Sequence, residues 1–589
     1  MKLIENNNYR KDIAGLRAYA VLAVVIFHFG YLPNGFLGVD VFFVISGYLI
    51  TGIIYRKISK NQFSIKDFYI RRIKRIIPLV SFICLISLIL GVKYMLPDDL
   101  ENLAQSIVAT NFFNNNTLQV ITTKNYWDVV NELKPLMHTW SLAIEEQYYL
   151  FYPFLFVLIA KIRLKLILPI LIVLTLLSIG LFFSPFQDYY KFYLLPFRFF
   201  ELSIGGIATI ILNGKIVKHR FSTVLIIALI VILCFDLQFI NNDLLLFITV
   251  MITCGILISV STVNKLSSYL LENKLVVFIG KISFSIYMWH QIILAFGRYF
   301  LFNEIGFIGY SFIMLITILL SIGTFYLIEQ PFRHKFKTKN IFVILILTFL
   351  TTTGSSLYIY NNAGVLKDIP ELGINKASTQ KGIHSKYNDD IYKLDKLFTK
   401  TEKLKILVIG NSFARDWCNV LLESKFKESI EISYIYGSYS HPAFLHPDLK
   451  KRAREADYIF LSPLSKEEFR KLDIDESKTW CTGTKNFGIN NGIYYNYTGE
   501  NYCLQRTSLE DGSLKTNDIL KKEWGEKYID LIDLVIDKEH TVPVFTPNCK
   551  FISQDTRHFT KYGAEYFAYL IENTPGFVLN KIDNKNKFR

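Results

Sequence analysis

Cysteine is scarce in this chain of 589 residues, with seven in all. None forms a CxxC pair and no His/Cys spacing suits zinc, so no metal site is expected. An internal repeat, a low-complexity tract and a nucleic-acid motif are also missing. The net charge of +15 therefore needs a source other than nucleic-acid binding, and no nucleic acid is expected as a partner. No small-residue cleavage site follows the first apolar run, which reads as a retained span rather than a signal peptide.

Apolar residues make up 51% of the chain, and the mean hydropathy is +0.29. That excludes a disordered chain and points to a membrane protein. Runs long enough to cross a bilayer fall near 13–30, 39–56, 77–96, 141–160, 166–184, 192–212, 221–240, 244–262, 276–300, 307–328 and 340–360. Beyond about residue 360 the runs thin out, so a soluble region follows.

The charge sits in short loops. "RKISKNQFSIKDFYIRRIKR", "KIRLK", "KIVKHR" and "RHKFKTK" each follow an even-numbered span, whereas "YLPNG" and "LPDDLENLAQ" follow odd ones. The positive-inside rule makes the basic side cytoplasmic. The N-terminus is then inside and the C-terminal region extracytoplasmic. Cys84, Cys234 and Cys254 lie in apolar runs and are expected to pack as small hydrophobes. Cys418, Cys481, Cys503 and Cys549 lie in the soluble region, where one or two disulfides fit an oxidising compartment, with the pairing left open.

Ionisable residues interrupt the spans. Arg17 and His28 are eleven residues apart, close to three helical turns, so they share a face about 16 Å apart along the axis. Asp40 opens the second span. Ser141 follows His138 by three residues and precedes Glu145 by four, which sets all three on one face if helical, with Glu146 adjacent. Arg198 and Glu201 have ion-pair spacing, and His290 ends "SFSIYMWH". Arg72 and Arg75 are three apart in "YIRRIKRIIP", a spacing suited to phosphate but also to simple interfacial anchoring. So many polar groups require an interior cavity, as in a transporter or an intramembrane enzyme.

"YRKDIAGLRAYAVLAVVIFHFG", "GFLGVDVFFVISGYLIT", "FYIRRIKRIIP", "MHTWSLAIEEQYYLFYP", "GKISFSIYMWH" and "LIEQPFR" together resemble the acyltransferase family 3 membrane proteins over roughly residues 9 to 335. The resemblance implies acyl transfer, commonly of acetyl, onto extracytoplasmic polysaccharides. It makes His28 the essential catalytic residue, as base or acyl carrier. Arg17, Arg72 and Arg75 become donor-binding residues, with Glu145 a characteristic site residue and Asp40, Arg198 and Glu201 in support. The implied donor is cytoplasmic acetyl-CoA, as a substrate rather than a resident cofactor.

In the soluble region, "KLKILVIGNSFARDWCNVLLESKF" reads as strand, tight turn and helix, and "TKYGAEYFAYLIEN" as a closing amphipathic helix. "ILVIGNSFARDW" and "SQDTRHFTKYGAEYF" are similar to the first and last blocks of the SGNH (GDSL-type) hydrolases. The similarity implies a triad of Ser412, Asp555 and His558. Gly437 and Asn486 are the candidate oxyanion donors, with Asn490 as a rival to Asn486. Asn411 departs from the family's Gly-Asp-Ser.

The expected fold is a polytopic α-helical membrane bundle of about 10–11 spans plus a C-terminal three-layer α/β domain with a mostly parallel sheet. The expected divisions are 1–335, an additional span at 336–360, an extracytoplasmic linker at 361–402 and an SGNH-like domain at 403–589. The expected function is O-acetylation of a cell-surface polysaccharide of the O-antigen, lipooligosaccharide or capsule type, in a bacterial inner membrane. Alternatives are a peptidoglycan O-acetyltransferase, a glycan deacetylase, or a transporter with an accessory domain.

Overall fold

The structure is a computed structural model. It describes residues 10–122, 133–212, 222–237, 239–259, 265–300, 305–376, 387–437, 443–488, 490–497, 499–510, 512–553 and 555–580. The basic loop "KIVKHR", Tyr9 of the first motif, Gln554 of the last and residues 377–386 of the expected linker lie outside this set. The chain divides into two compact units, residues 1–93 with 99–360, and residues 94–98 with 361–589.

The first unit is helical. Its long apolar elements are α1 (Lys11–His28), α2 (Gly38–Ser59), α3 (Ile65–Tyr94), α4 (Thr139–Arg163), α5 (Ile167–Phe182), α6 (Leu195–Ile211), α7 (Ser222–Cys234), α8 (Asn242–Ile258), α9 (Lys274–Phe300), α10 (Phe307–Thr324) and α11 (Thr338–Asn361). Each expected span coincides with one of them. Among the described residues, six helical stretches are long and apolar enough to cross a membrane. Phe151, Phe154 and Leu158 on α4, Leu176 and Leu177 on α5, and Leu347 and Leu350 on α11 are exposed. Such continuous apolar surface is unfavourable in water and matched in lipid, as in a multi-span membrane protein.

Inside the bundle, small residues set the spacing. A Cβ on Gly280 of α9 would lie 1.8 Å from the Ala14 carbonyl oxygen of α1, so only glycine allows this approach. The same two helices meet again at His28 and His290. They therefore run parallel, as two odd-numbered spans must.

The second unit is α/β. A five-stranded, wholly parallel sheet has the order β2-β1-β3-β4-β6, with β1 (Leu404–Gly410), β2 (Ile430–Tyr436), β3 (Tyr458–Leu461), β4 (Thr479–Thr482) and β6 (Tyr528–Ile529). β5 (Arg506–Ser508) and β7 (Thr541–Pro543) form a small antiparallel pair. Alternation along β1 sends Ile406 and Val408 to one face and Leu407 and Ile409 to the other. The first pair meets Trp417 and Val420 of α12 (Ser412–Leu422) and Phe567 of α14 (Lys561–Glu572). The second meets Leu449 and Ala453 of α13 (Leu449–Glu455). A strand buried on both faces explains the unbroken apolar run "ILVI" and the three-layer architecture.

Ile369, Leu372 and Ile374, within the stretch expected as linker, are buried against Val544, Phe545 and Phe551. Cys503 and Cys549 form a disulfide, while Cys418 and Cys481 are buried thiols. In the first unit Cys84 is buried and Cys234 and Cys254 are half-buried.

Candidate functional site

Each unit contains a polar site. In the membrane unit, α1, α2, α3, α4 and α9 line a partly open cavity. Arg17, Arg72, Arg75, Ser141, Glu145 and Tyr287 are among its lining residues. The three-residue spacing on α3 turns Arg72 and Arg75 to the same wall, and the four-residue spacing on α4 does so for Ser141 and Glu145. Glu145 accepts from the Tyr149 hydroxyl at 2.9 Å and from Ser46 Oγ. Arg72 lies over the Tyr149 ring at 5.6 Å, and its Nε is buried with no hydrogen-bond partner among the described residues. The wall thus carries three guanidinium groups and one carboxylate. Converging cations in a low-dielectric interior repel one another unless an anion joins them.

His28, the last residue of α1, is not on that wall. Tyr287, which is, contacts the rings of His138 and His290, at 5.2 and 5.4 Å between centroids. His28 stacks on His290. His138 caps α4 with helical backbone angles, and both its ring and Ser141 Oγ meet Tyr287.

Asp40, Arg198 and Glu201 form a fully buried cluster. Arg198 reaches Asp40 at 2.5 Å and Glu201 at 2.9 Å, between the rings of Phe43 and Phe192. None of the three lines the cavity, so their part is to tie α2 to α6. A further buried pair lies in "LIEQPFR", whose first residues form a π-helical turn, Phe325–Glu329. Glu329 accepts from Arg333 at 2.5 Å and from Ser285.

In the second unit, β1 ends at Gly410, whose φ is 141° and where a Cβ would meet Ser462 Oγ at 2.1 Å. The Asn411 side chain caps α12 by accepting from Phe413 N at 3.0 Å. Asn411 is thus a helix cap, a role that asparagine fills as well as aspartate. Ser412 opens the helix, where backbone N–H groups and the helix dipole favour an anion. It is buried, and its Oγ has no hydrogen-bond partner among the described residues.

His558 Nδ1 meets Asp555 Oδ2 at 2.5 Å, and His558 N donates to Asp555 Oδ1 at 2.7 Å. Burial alone would raise the Asp555 carboxyl. The charge on His558 and these hydrogen bonds outweigh it and hold the group at about 2. The helix that Ser412 opens and the His558 loop meet at neighbouring residues. The Phe413 and His558 rings are 6.4 Å apart, and Phe559 N donates to Asp416 on α12 at 2.9 Å.

Gly437 directly follows Tyr436, the register partner of Gly410, and so lies at the same end of the sheet. Its N–H donates to the Gly410 carbonyl at 3.0 Å. The Asn486 amide donates to Glu510 at 3.3 Å, and its carbonyl accepts from Gly488 N at 3.0 Å. Asn490 caps the next helix by accepting from Gly492 N at 2.6 Å. Gly437 must exchange its partner before it can donate to an oxyanion, whereas the Asn486 amide carries two N–H donors, of which the Glu510 contact takes one.

Two residues of this site give no signal in the sequence. Lys485 and Asp416, both fully buried, pair at 2.8 Å, and the Lys485 ammonium lies 3.8 Å from the centre of the Phe413 ring. Burial would raise Asp416, but Lys485, His558 and Arg415 draw it below the usual carboxylate range. This pair braces the serine helix, the Asn486 loop and the His558 loop against one another.

Comparison with known proteins gives an acyltransferase domain profile (acyltransferase 3) that matches residues 10–327. A protein of Listeria monocytogenes serovar 1/2a named peptidoglycan O-acetyltransferase OatA is 35% identical over 316 residues, 49% of this chain and 50% of its own. The chain thus spans about half the length of that relative. A putative O-acetyltransferase of Staphylococcus aureus strain MRSA252 is 28% identical over 529 residues, 80% of this chain and 84% of its own. The O-acetyltransferase OatA of S. aureus strain NCTC 8325 is 30% identical over 353 residues, 56% of this chain and 58% of its own. No solved structure matches the chain.

Proposed function

The chain belongs to the acyltransferase 3 family, and from that premise we propose that it is a membrane O-acetyltransferase that carries acetyl from cytoplasmic acetyl-CoA to hydroxyls of an extracytoplasmic envelope glycan. One observation carries this reading: an intramembrane cavity walled by Arg17, Arg72 and Arg75. Guanidinium groups suit a phosphate-rich donor. The positive-inside rule puts "RKISKNQFSIKDFYIRRIKR", which contains Arg72 and Arg75, on the donor's side of the plasma membrane, and the second unit on the other.

His28 serves as general base. It takes the proton of a carrier hydroxyl as that oxygen bonds to the acetyl carbon. The thioester C–S bond breaks, and the imidazolium returns its proton to the departing thiolate. In the second unit Ser412 is the last acyl carrier. Its Oγ attacks the carrier ester while its proton passes to His558, which Asp555 orients. The carrier C–O bond breaks, and His558 returns the proton to the carrier oxygen. The glycan hydroxyl then displaces acetyl from Ser412 in the same way.

The acceptor class has two readings. A serine triad suits hydroxyls of any surface polysaccharide. The name of the Listeria relative favours peptidoglycan. Mass spectrometry of both polymers from cells carrying native protein, His28→Ala or Ser412→Ala tests this. The expected result is an acetyl increment on one polymer, lost in both variants. An increment retained in His28→Ala contradicts the reading, as does a gain of acetyl when the protein is deleted, which would mark a deacetylase.

A further inference from the structure

Three imidazoles from separate parts of the membrane unit converge. His28 and His290 stack with centroids 5.2 Å apart and 17° between planes. His138 meets His290 edge-on at 5.2 Å and 71°. His290 and His138 are buried. His28 Nδ1, His290 Nε2 and both His138 ring nitrogens are buried with no hydrogen-bond partner among the described residues. Four unpartnered polar atoms in an apolar interior are a burden that packing alone does not explain.

His290 has a fixed role. Its Nδ1–H donates to the Tyr287 carbonyl at 2.6 Å, which fixes the orientation of the ring. The Tyr287 hydroxyl in turn donates to the His138 carbonyl at 2.8 Å and exchanges a hydrogen bond with Ser141 Oγ at 2.6 Å. The same two helices, α1 and α9, make the close approach at Gly280 and the stack of His28 on His290.

Among the described residues no carboxylate pairs with any of the three rings. The charged group beside them is Arg298, whose guanidinium donates to the His28 carbonyl at 3.5 Å. A carboxylate would steady a His28 imidazolium directly, as Asp555 does for His558. A neutral aromatic face offers weaker support, felt only once the cation forms.

We propose that His290 is a positioning residue for His28, and that its stacked ring steadies the imidazolium formed when His28 takes up a proton. This rests on His28 being the base.

The test uses full-length protein in proteoliposomes, with acetyl-CoA as donor and isolated envelope glycan as acceptor. It follows CoA release in native protein, His28→Ala, His290→Ala and His290→Phe. His290→Ala is expected to lower kcat by about tenfold or more with KM for acetyl-CoA unchanged. His290→Phe keeps an aromatic face and is expected to restore most of kcat. An unchanged kcat in His290→Ala overturns the proposal. So does a His290→Phe protein that melts like the native one yet is as slow as His290→Ala. If His28→Ala also keeps its kcat, the base assignment itself falls, and this inference with it. If only the His290 variants keep theirs, the base assignment stands alone.

Discussion

The two units treat a buried histidine in opposite ways. In the α/β unit, His558 has a carboxylate on its Nδ1, Asp555 at 2.5 Å. In the membrane unit, His28 has imidazoles for neighbours and Arg298 on its carbonyl. The difference follows from the medium. Near the surface of a soluble domain, water and backbone N–H groups keep a carboxylate charged. In a bilayer, an isolated carboxylate beside a histidine would carry a heavy desolvation penalty. The membrane unit places carboxylates where cations already stand, at Arg198 and Arg333.

The sharpest way to break this comparison is to remove the two reactive groups in turn. Ser412→Ala is expected to abolish glycan acetylation, by about 10⁴-fold or more. It should leave any acetyl-CoA consumption that precedes the serine intact. His28→Ala is expected to abolish both, as CoA release and glycan mass shift would read.

Next come the buried ion clusters. Arg198→Met leaves Asp40 and Glu201 without their cation and is expected to cost about 3–5 kcal/mol or prevent folding. Lys485→Met is expected to cost less, because Arg415 at 3.2 Å and Phe559 N at 2.9 Å still serve Asp416. Thermal unfolding of the two full-length variants ranks them, and equal losses would erase the distinction.

Reduction of Cys503–Cys549, which closes a separation of 46 residues, is expected to cost the α/β unit about 2–4 kcal/mol. The membrane unit, whose described cysteines are free thiols, should be unaffected. Limited proteolysis with and without reductant would show which unit loosens.

The smallest effect is that of acid. Asp555 and Asp416 sit below their usual value when folded, so their contribution is full above the unfolded pKa near 4. It is lost as pH falls through the folded values, about 2 for Asp555. Melting of the α/β unit should therefore weaken from about pH 4 downward, and a flat profile would contradict the assignment.

What could be read from the chain is what repeats along it. Helical period set Arg72 and Arg75 on one wall, and apolar runs located α1 to α11. Strand, turn and helix around "IGNS" put Ser412 at a helix start. What could not be read joins distant positions. Asp416 and Lys485 are far apart in sequence and look like ordinary surface charges until the fold buries them together. The stacking of His28 on His290 joins the first and ninth spans, which are far apart in sequence. The disulfide had several possible pairings, and only the fold of the β5 and β7 region selects Cys503 with Cys549.

The central claim is that acetyl reaches Ser412 only by way of His28. It is tested by incubating native, His28→Ala and Ser412→Ala proteins in proteoliposomes with radiolabelled acetyl-CoA and no glycan, then mapping the label by peptide. The expected result is label on the Ser412 peptide of the native protein and none in His28→Ala, although a fluorophosphonate still reacts with Ser412 there. Equal labelling of Ser412 in native and His28→Ala proteins would contradict it.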